Sequence, residues 1–165
     1  MAGHSDSPSF TRDELETWSS LATLMEWLPG ALDAQLLGDS AMTHFEYGML
    51  YALTEAPNRT LRMSELAGYA NSSLSRLSRA VSRLERRGWM QRTPDPTDGR
   101  FTLAILTESG LAEAEKATPG HVRTVRRLVL DRLTPAQTKQ LTEISRRILA
   151  AIRADEGWQP TGAAR

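Results

Sequence analysis

The chain has 165 residues, with 20 basic and 20 acidic side chains, three histidines and no cysteine. That length is one domain of ordinary size, and the missing cysteines exclude disulfides, thiolate metal sites and a cysteine redox switch, as befits a cytoplasmic protein. With 40% hydrophobic but only 6% aromatic residues it reads as mainly α-helical; no apolar run is long enough to cross a membrane, and the start has no signal-peptide pattern.

The zero net charge is spread unevenly. Residues 1–60 hold two arginines against nine acids, residues 61–100 eight arginines against four acids, and residues 101–165 ten basic groups against seven acidic ones. Duplex DNA responds to the local field where it is touched, so the basic middle segment outweighs the neutral sum.

In chain order, residues 1–10 read as a flexible arm. Thr11 and Glu14 have capping-box spacing and open a first helix, whose stripe of Leu15, Trp18, Ala22, Met25, Leu32 and Leu36 recurs at helical steps. Pro29-Gly30 is expected to kink or split it, and Gly38-Asp39-Ser40 to be a loop. Thr43 and Glu46 form a second capping box, with Met42 and Tyr47 placed as a staple. The helix they start carries Phe45, Met49, Leu50 and Leu53 and ends near Ala56-Pro57. A short strand at Leu61-Arg62 precedes a brief helix capped by Ser64. Asn71 or Ser72 caps the next helix, which Gly88 stops. Trp89–Thr93 and Phe101–Leu106 read as two strands around the turn-forming run Pro94 to Gly99. Thr107 caps a long helix weakened near Pro119-Gly120, and Thr134-Pro135 opens the last one.

The longer helix after Asn71 carries the functional signal. With Leu74 at zero and 100° per residue, Leu77, Val81 and Leu84 fall within about 80° of it, toward a core. Ser72, Ser75, Arg76, Arg79, Arg83 and Arg86 fall on the opposite side, with no acid of the helix among them. Like charges at these spacings repel, so a merely solvated face usually mixes signs. Arginine forks pair with guanine edges and phosphates, and serines, Ser73 included, let the backbone come close. In the following hairpin, Arg92 and Arg100 flank a turn suited to a minor groove, with Asp98 spaced to hold the Arg100 guanidinium. Strand, short helix, longer helix and hairpin together make a winged helix-turn-helix.

The run SSLSRLSRAVSRLERRGWMQRTPDPTDGRFTLAILTESG resembles the core of the MarR (multiple-antibiotic-resistance regulator) family of bacterial repressors. The matching pieces are Leu-Glu-Arg-Arg-Gly ending at Gly88, Arg92, Asp98-Gly99-Arg100, Leu106-Thr107-Glu108 with Gly110, and Met63 to Ala67. Gly99 departs from the pattern, since the family more often has arginine there. The resemblance covers about Met42 to Gly110 well and the flanking helices by position only. It implies one domain over 11–155, with 43–107 as the winged helix-turn-helix region, helices in 11–37 and 108–155 forming a dimerisation lobe, and 156–165 as a tail. It implies a homodimer on a pseudo-palindromic operator, acting as a repressor. It also implies a small aromatic or lipophilic effector in a cavity near the first two helices, where Trp18, Trp27, His44, Tyr47 and Tyr51 are the candidates. Periodicity alone leaves open whose core the stripes fill, and the aromatics equally suit a plain core.

No His/Asp/Glu cluster has metal-ligand spacing, and there is no phosphate loop or nucleophile elbow, so no metal, cofactor or catalytic site is expected and an enzyme is disfavoured. The reading from another class is a winged-helix module for protein–protein contact without DNA.

Overall fold

The computed structural model describes residues 8–155; the ends of the expected arm and the expected tail at 156–165 lie outside them. Six helices and three strands follow in order: α1 (Arg12–Ser40), α2 (His44–Thr54), β1 (Thr60–Arg62), α3 (Met63–Tyr69), α4 (Leu74–Arg86), β2 (Met90–Pro94), β3 (Thr102–Leu106), α5 (Glu108–Leu128) and α6 (Pro135–Asp155). Chain contacts divide the protein inside α1, between Ala31 and Leu32. Among the described residues no helix is long and apolar enough to cross a membrane.

In the first unit, α1 starts from the expected capping box. The Thr11 N–H donates to Glu14 Oε2 at 2.7 Å, and the Glu14 N–H to Thr11 Oγ1 at 3.3 Å. Side chains from Arg12 to Ser20 are exposed, the Leu15 and Trp18 of the stripe included. Pro29 does not split the helix, contrary to expectation. Its missing N–H leaves the Met25 carbonyl without a helical donor, at a residue that is exposed.

In the second unit, Gly38, Asp39 and Ser40 are the last turn of α1 and not a loop. The helix closes one residue later at Ala41, which takes φ 52° and donates its N–H to the Leu37 carbonyl at 3.2 Å. The capping box of α2 is present, and Met42 and Tyr47 beside it are buried. Helix α3 starts two residues earlier than expected: Ser64 does not cap it, and Glu65 Oε2 accepts the Arg62 N–H instead, at 2.8 Å. The cap of α4 is Ser73, not Asn71 or Ser72, and its hydroxyl accepts the Arg76 N–H.

The strands form one antiparallel sheet in the order β1-β3-β2, with Leu61 opposite Ala104 and Arg92 opposite Ala104 on its other side. Leu36, Met42, Leu50, Leu66, Leu77, Leu84, Met90 and Leu106 build one buried cluster that α2, α3, α4, the sheet and the start of α5 share. Each fully buried leucine contributes about 1.5–3 kcal/mol, and this cluster sets α4 against its neighbours. Leu74, placed on the core side by its helical angle, is half exposed, because it lies at the first turn beyond the reach of that cluster. Helix α5 is capped by Thr107 and runs unbroken through Pro119, whose orphaned carbonyl belongs to exposed Glu115. From Lys139 to Ala154 every side chain of α6 is exposed in the protomer.

Candidate nucleic-acid interface and cavity

Helix α4 is amphipathic as its sequence dictates. Leu77, Ala80, Val81 and Leu84 are buried, and Ser75, Arg76, Arg79, Arg83 and Arg86 are exposed. Ser72, Ser73 and Ser75 sit at its N-terminus, with the Ser73 and Ser75 hydroxyls 3.2 Å apart. Small side chains there leave the backbone N–H groups of the first turn approachable by an anion.

The four arginines differ in what holds them. The Arg76 guanidinium lies 4.5 Å from the Phe45 ring centroid. Arg83 donates through Nε to Glu46 Oε1 at 2.8 Å. Arg79 and Arg86 have no ion pair or side-chain hydrogen bond among the described residues. The helix face is free of its own acids, as its spacing indicated, but Glu46 reaches it from α2. Glu46 is 4% exposed. Burial pushes its carboxyl up, yet hydrogen bonds from the Thr43 N–H, the Arg83 guanidinium and the Thr43 hydroxyl together outweigh it and hold the group below the usual range.

The wing carries Arg100 and its brace. Arg100 Nε donates to Asp98 Oδ1 at 2.9 Å and Nη2 to Asp98 Oδ2 at 2.6 Å, a two-pronged pair, while the Arg100 side chain stays 84% exposed. These hydrogen bonds depress the Asp98 carboxyl. Arg92 is turned inward. It donates to the Ser78 and Ser82 hydroxyls at 3.2 and 3.0 Å and to Glu85 Oε2 at 2.5 Å, and its N–H donates to Glu85 Oε1. It thereby ties β2 to the flank of α4. A second tie was not read from the sequence: Arg62 Nε donates to buried Asp95 Oδ2 at 3.0 Å, and its guanidinium lies 4.3 Å from the Phe101 ring centroid. The hydroxyl and N–H of Thr97, then Arg62, lower the Asp95 carboxyl to about 2. Arg62, Arg92 and Arg100 all border a cleft of 320 Å³ between α3, α4 and the wing.

A separate cavity of 470 Å³ opens between α2 and α5. His44, Tyr47, Gly48 and Tyr51 line one side, and Thr118, His121, Val122, Val125 and Arg126 the other. The His44 and His121 rings are 5.2 Å apart, and Tyr47 is 4.6 Å from His121 and shares a 3.0 Å hydrogen bond with Thr118. Burial lowers the pKa of both histidines; Asp33 partly offsets it at His44, and the neighbouring imidazole adds to it at His121. The Nδ1 atoms of both are buried without a hydrogen-bond partner. Of the five residues expected in an effector cavity, His44, Tyr47 and Tyr51 come together here. Trp18 and Trp27 lie on the part of α1 that belongs to the first unit, where both are exposed.

The MarR family model matches residues 42–102. A MarR family transcriptional regulator from Streptomyces coelicolor, solved in complex with DNA, is 45% identical, with a TM-score of 0.85 over 87% of this chain and 94% of that one. AbsC, a MarR family transcriptional regulator from the same organism, is 30% identical, with a TM-score of 0.86 over 90% of this chain and 99% of that one. The transcriptional repressor MprA of Escherichia coli is 28% identical over 103 residues, 62% of this chain, and the match spans 58% of that relative's length.

Proposed function

The chain belongs to the MarR family, and from that premise we propose that it is a DNA-binding transcriptional regulator, a homodimeric repressor that a small molecule releases from a pseudo-palindromic operator in the cytoplasm. The observation that carries this reading is the exposed arginine face of α4, flanked by serines at its N-terminus and by the braced Arg100 on the wing. A recognition helix of this kind reads base edges in the major groove, and a wing arginine follows phosphates and the narrow groove. The 45% identical relative in complex with DNA supports it.

Ser72, Ser73, Ser75, Arg76, Arg79, Arg83 and Arg86 are the contacts of the helix, and Arg100, held by Asp98, that of the wing. Arg92 acts from behind by fixing the wing to α4. The division into a reading region at 43–107 and dimerisation helices in 11–37 and 108–155 is supported by the apolar stripes. Leu15, Trp18 and Met25 of α1, Val122 of α5, and Leu141, Ile144, Ile148 and Ile152 of α6 are all exposed in the protomer. Exposed apolar surface on this scale marks an association face. The effector site is the cavity between α2 and α5, where an aromatic wall meets two imidazoles with unused nitrogen atoms.

The test is selection of duplexes from a random-sequence pool by the full chain, followed by fluorescence anisotropy at several salt concentrations. Enrichment of a two-fold symmetric sequence, bound more weakly as salt rises, is the expected result. Failure to enrich any duplex would leave the winged helix as a protein-contact module.

A further inference from the structure

The first turn of α2 has two sides. On one side His44 and Tyr47, with Gly48 beyond them, line the cavity. On the other side the same turn holds two arginines of α4: Arg76 rests over Phe45, and Arg83 is bound by Glu46. One buried carboxylate does both jobs at the centre of this turn. Glu46 Oε2 accepts the Thr43 N–H at 2.9 Å and the Thr43 hydroxyl at 3.1 Å, closing the cap, while Oε1 accepts Arg83 Nε at 2.8 Å. The His44 N–H is fixed in turn by Asp33 Oδ1 at 2.7 Å.

We infer that Glu46 is a positioning residue, which passes occupancy of the α2–α5 cavity to the DNA-reading helix by setting where the Arg83 guanidinium stands. The inference rests on the reading of that cavity as the effector site. A buried carboxylate cannot give up its cationic partner cheaply, because an uncompensated charge would remain in the interior. The cap and the ion pair therefore move together. An occupant wedged against His44 and Tyr47 that favours one placement of the turn favours one placement of Arg83, and by the same thermodynamic link DNA favours one state of the cavity.

Gly48 allows a test that requires no identified effector. A Cβ built there meets no atom within 4 Å, and the residue borders the cavity, so Gly48→Phe places a tethered ring in it. Anisotropy titrations with the pool-selected duplex compare the wild type, Gly48→Phe, Glu46→Gln and the double variant, all as full chains. Gly48→Phe is expected to change operator affinity about tenfold, within the usual range of such couplings. In the Glu46→Gln background the same change should fall below about twofold. Arg83→Met removes the ion pair from the other end while leaving the cap residues in place, and it should abolish the response in the same way. It carries the test alone if circular dichroism shows Glu46→Gln to be unfolded. An equal effect of Gly48→Phe in all backgrounds overturns the relay while leaving the cavity's influence in place. No effect of Gly48→Phe in any background overturns the effector reading and the relay with it.

Discussion

The arginines around α4 divide by what already holds them, and that division sorts their expected contributions. Arg79 is exposed, has no ion pair or side-chain hydrogen bond among the described residues, and lies in the half of α4 that the proposed reading places in the groove. Arg79→Ala should cost roughly 1–3 kcal/mol of operator binding and relax preference at one symmetric pair of positions, seen by anisotropy against single-base operator variants. Arg100 is held by Asp98 at the wing, which the proposed reading sets against phosphates and the narrow groove. Arg100→Ala should weaken operator and random duplex by similar factors and make the salt dependence shallower by up to about two charges per dimer. Arg92 has spent its donors on Ser78, Ser82 and Glu85. Arg92→Gln should lower the melting temperature by several degrees in a calorimetric scan with little change in the salt slope; a fall in that slope matching the Arg100 variant's would place Arg92 on phosphate.

At the scale of elements, two packing contacts make firm demands. The N-terminus of α5 runs so close to the chain after α4 that a Cβ on Gly110 would lie 2.0 Å from the Trp89 carbonyl oxygen and 2.8 Å from Leu106 Cδ1. Neither backbone nor buried leucine can yield cheaply, so Gly110→Ala should cost roughly 3 kcal/mol in urea unfolding, and a loss under about 0.5 kcal/mol would mean that α5 is free to shift. The α2–α5 contact makes stability depend on pH. Burial depresses the pKa of both His44 and His121 in the fold, so below the ordinary histidine value the unfolded chain holds more protons than the folded one. Stability is therefore full above about pH 6.5 and falls as pH drops from there, with Asp33 acting on His44 and Arg126 lining the same cavity. Melting temperatures at pH 7.5 and 5.5 should differ less for His121→Gln than for the wild type.

For the whole molecule, the decisive fact is that no residue of the buried core lies in α6. That helix is amphipathic, with Leu141, Ile144, Ile148 and Ile152 on one stripe, yet it buries none of them in the protomer. The proposed reading assigns that apolar side to association. Removal of everything after Thr134 should leave the reading region's core intact but yield monomers or aggregates in analytical ultracentrifugation. A well-folded truncated dimer would put the interface on other helices.

What the sequence by itself determined was whatever depends on residues a few positions apart. The capping boxes at Thr11 and Thr43, the stop at Gly88 and the Asp98 brace on Arg100 are closed by contacts within a few residues, and the acid-free arginine stripe of α4 follows from helical spacing alone, so the sequence revealed them. Local pattern misled at Pro29, which reads as a kink or a split, while the helix runs on through it. Contacts between distant residues belonged to the tertiary structure. Glu46 and Arg83 are 37 positions apart and Arg62 and Asp95 33, and nothing local links them. Only packing brought His44 to His121 as a cavity wall, and turned Arg92 inward to a carboxylate on α4. Only the folded protomer showed that the stripe of α1 is divided, with Leu36 in the core and Leu15, Trp18 and Met25 exposed, and that the stripe of α6 is exposed, because periodicity gives a helix an apolar side without saying what covers it.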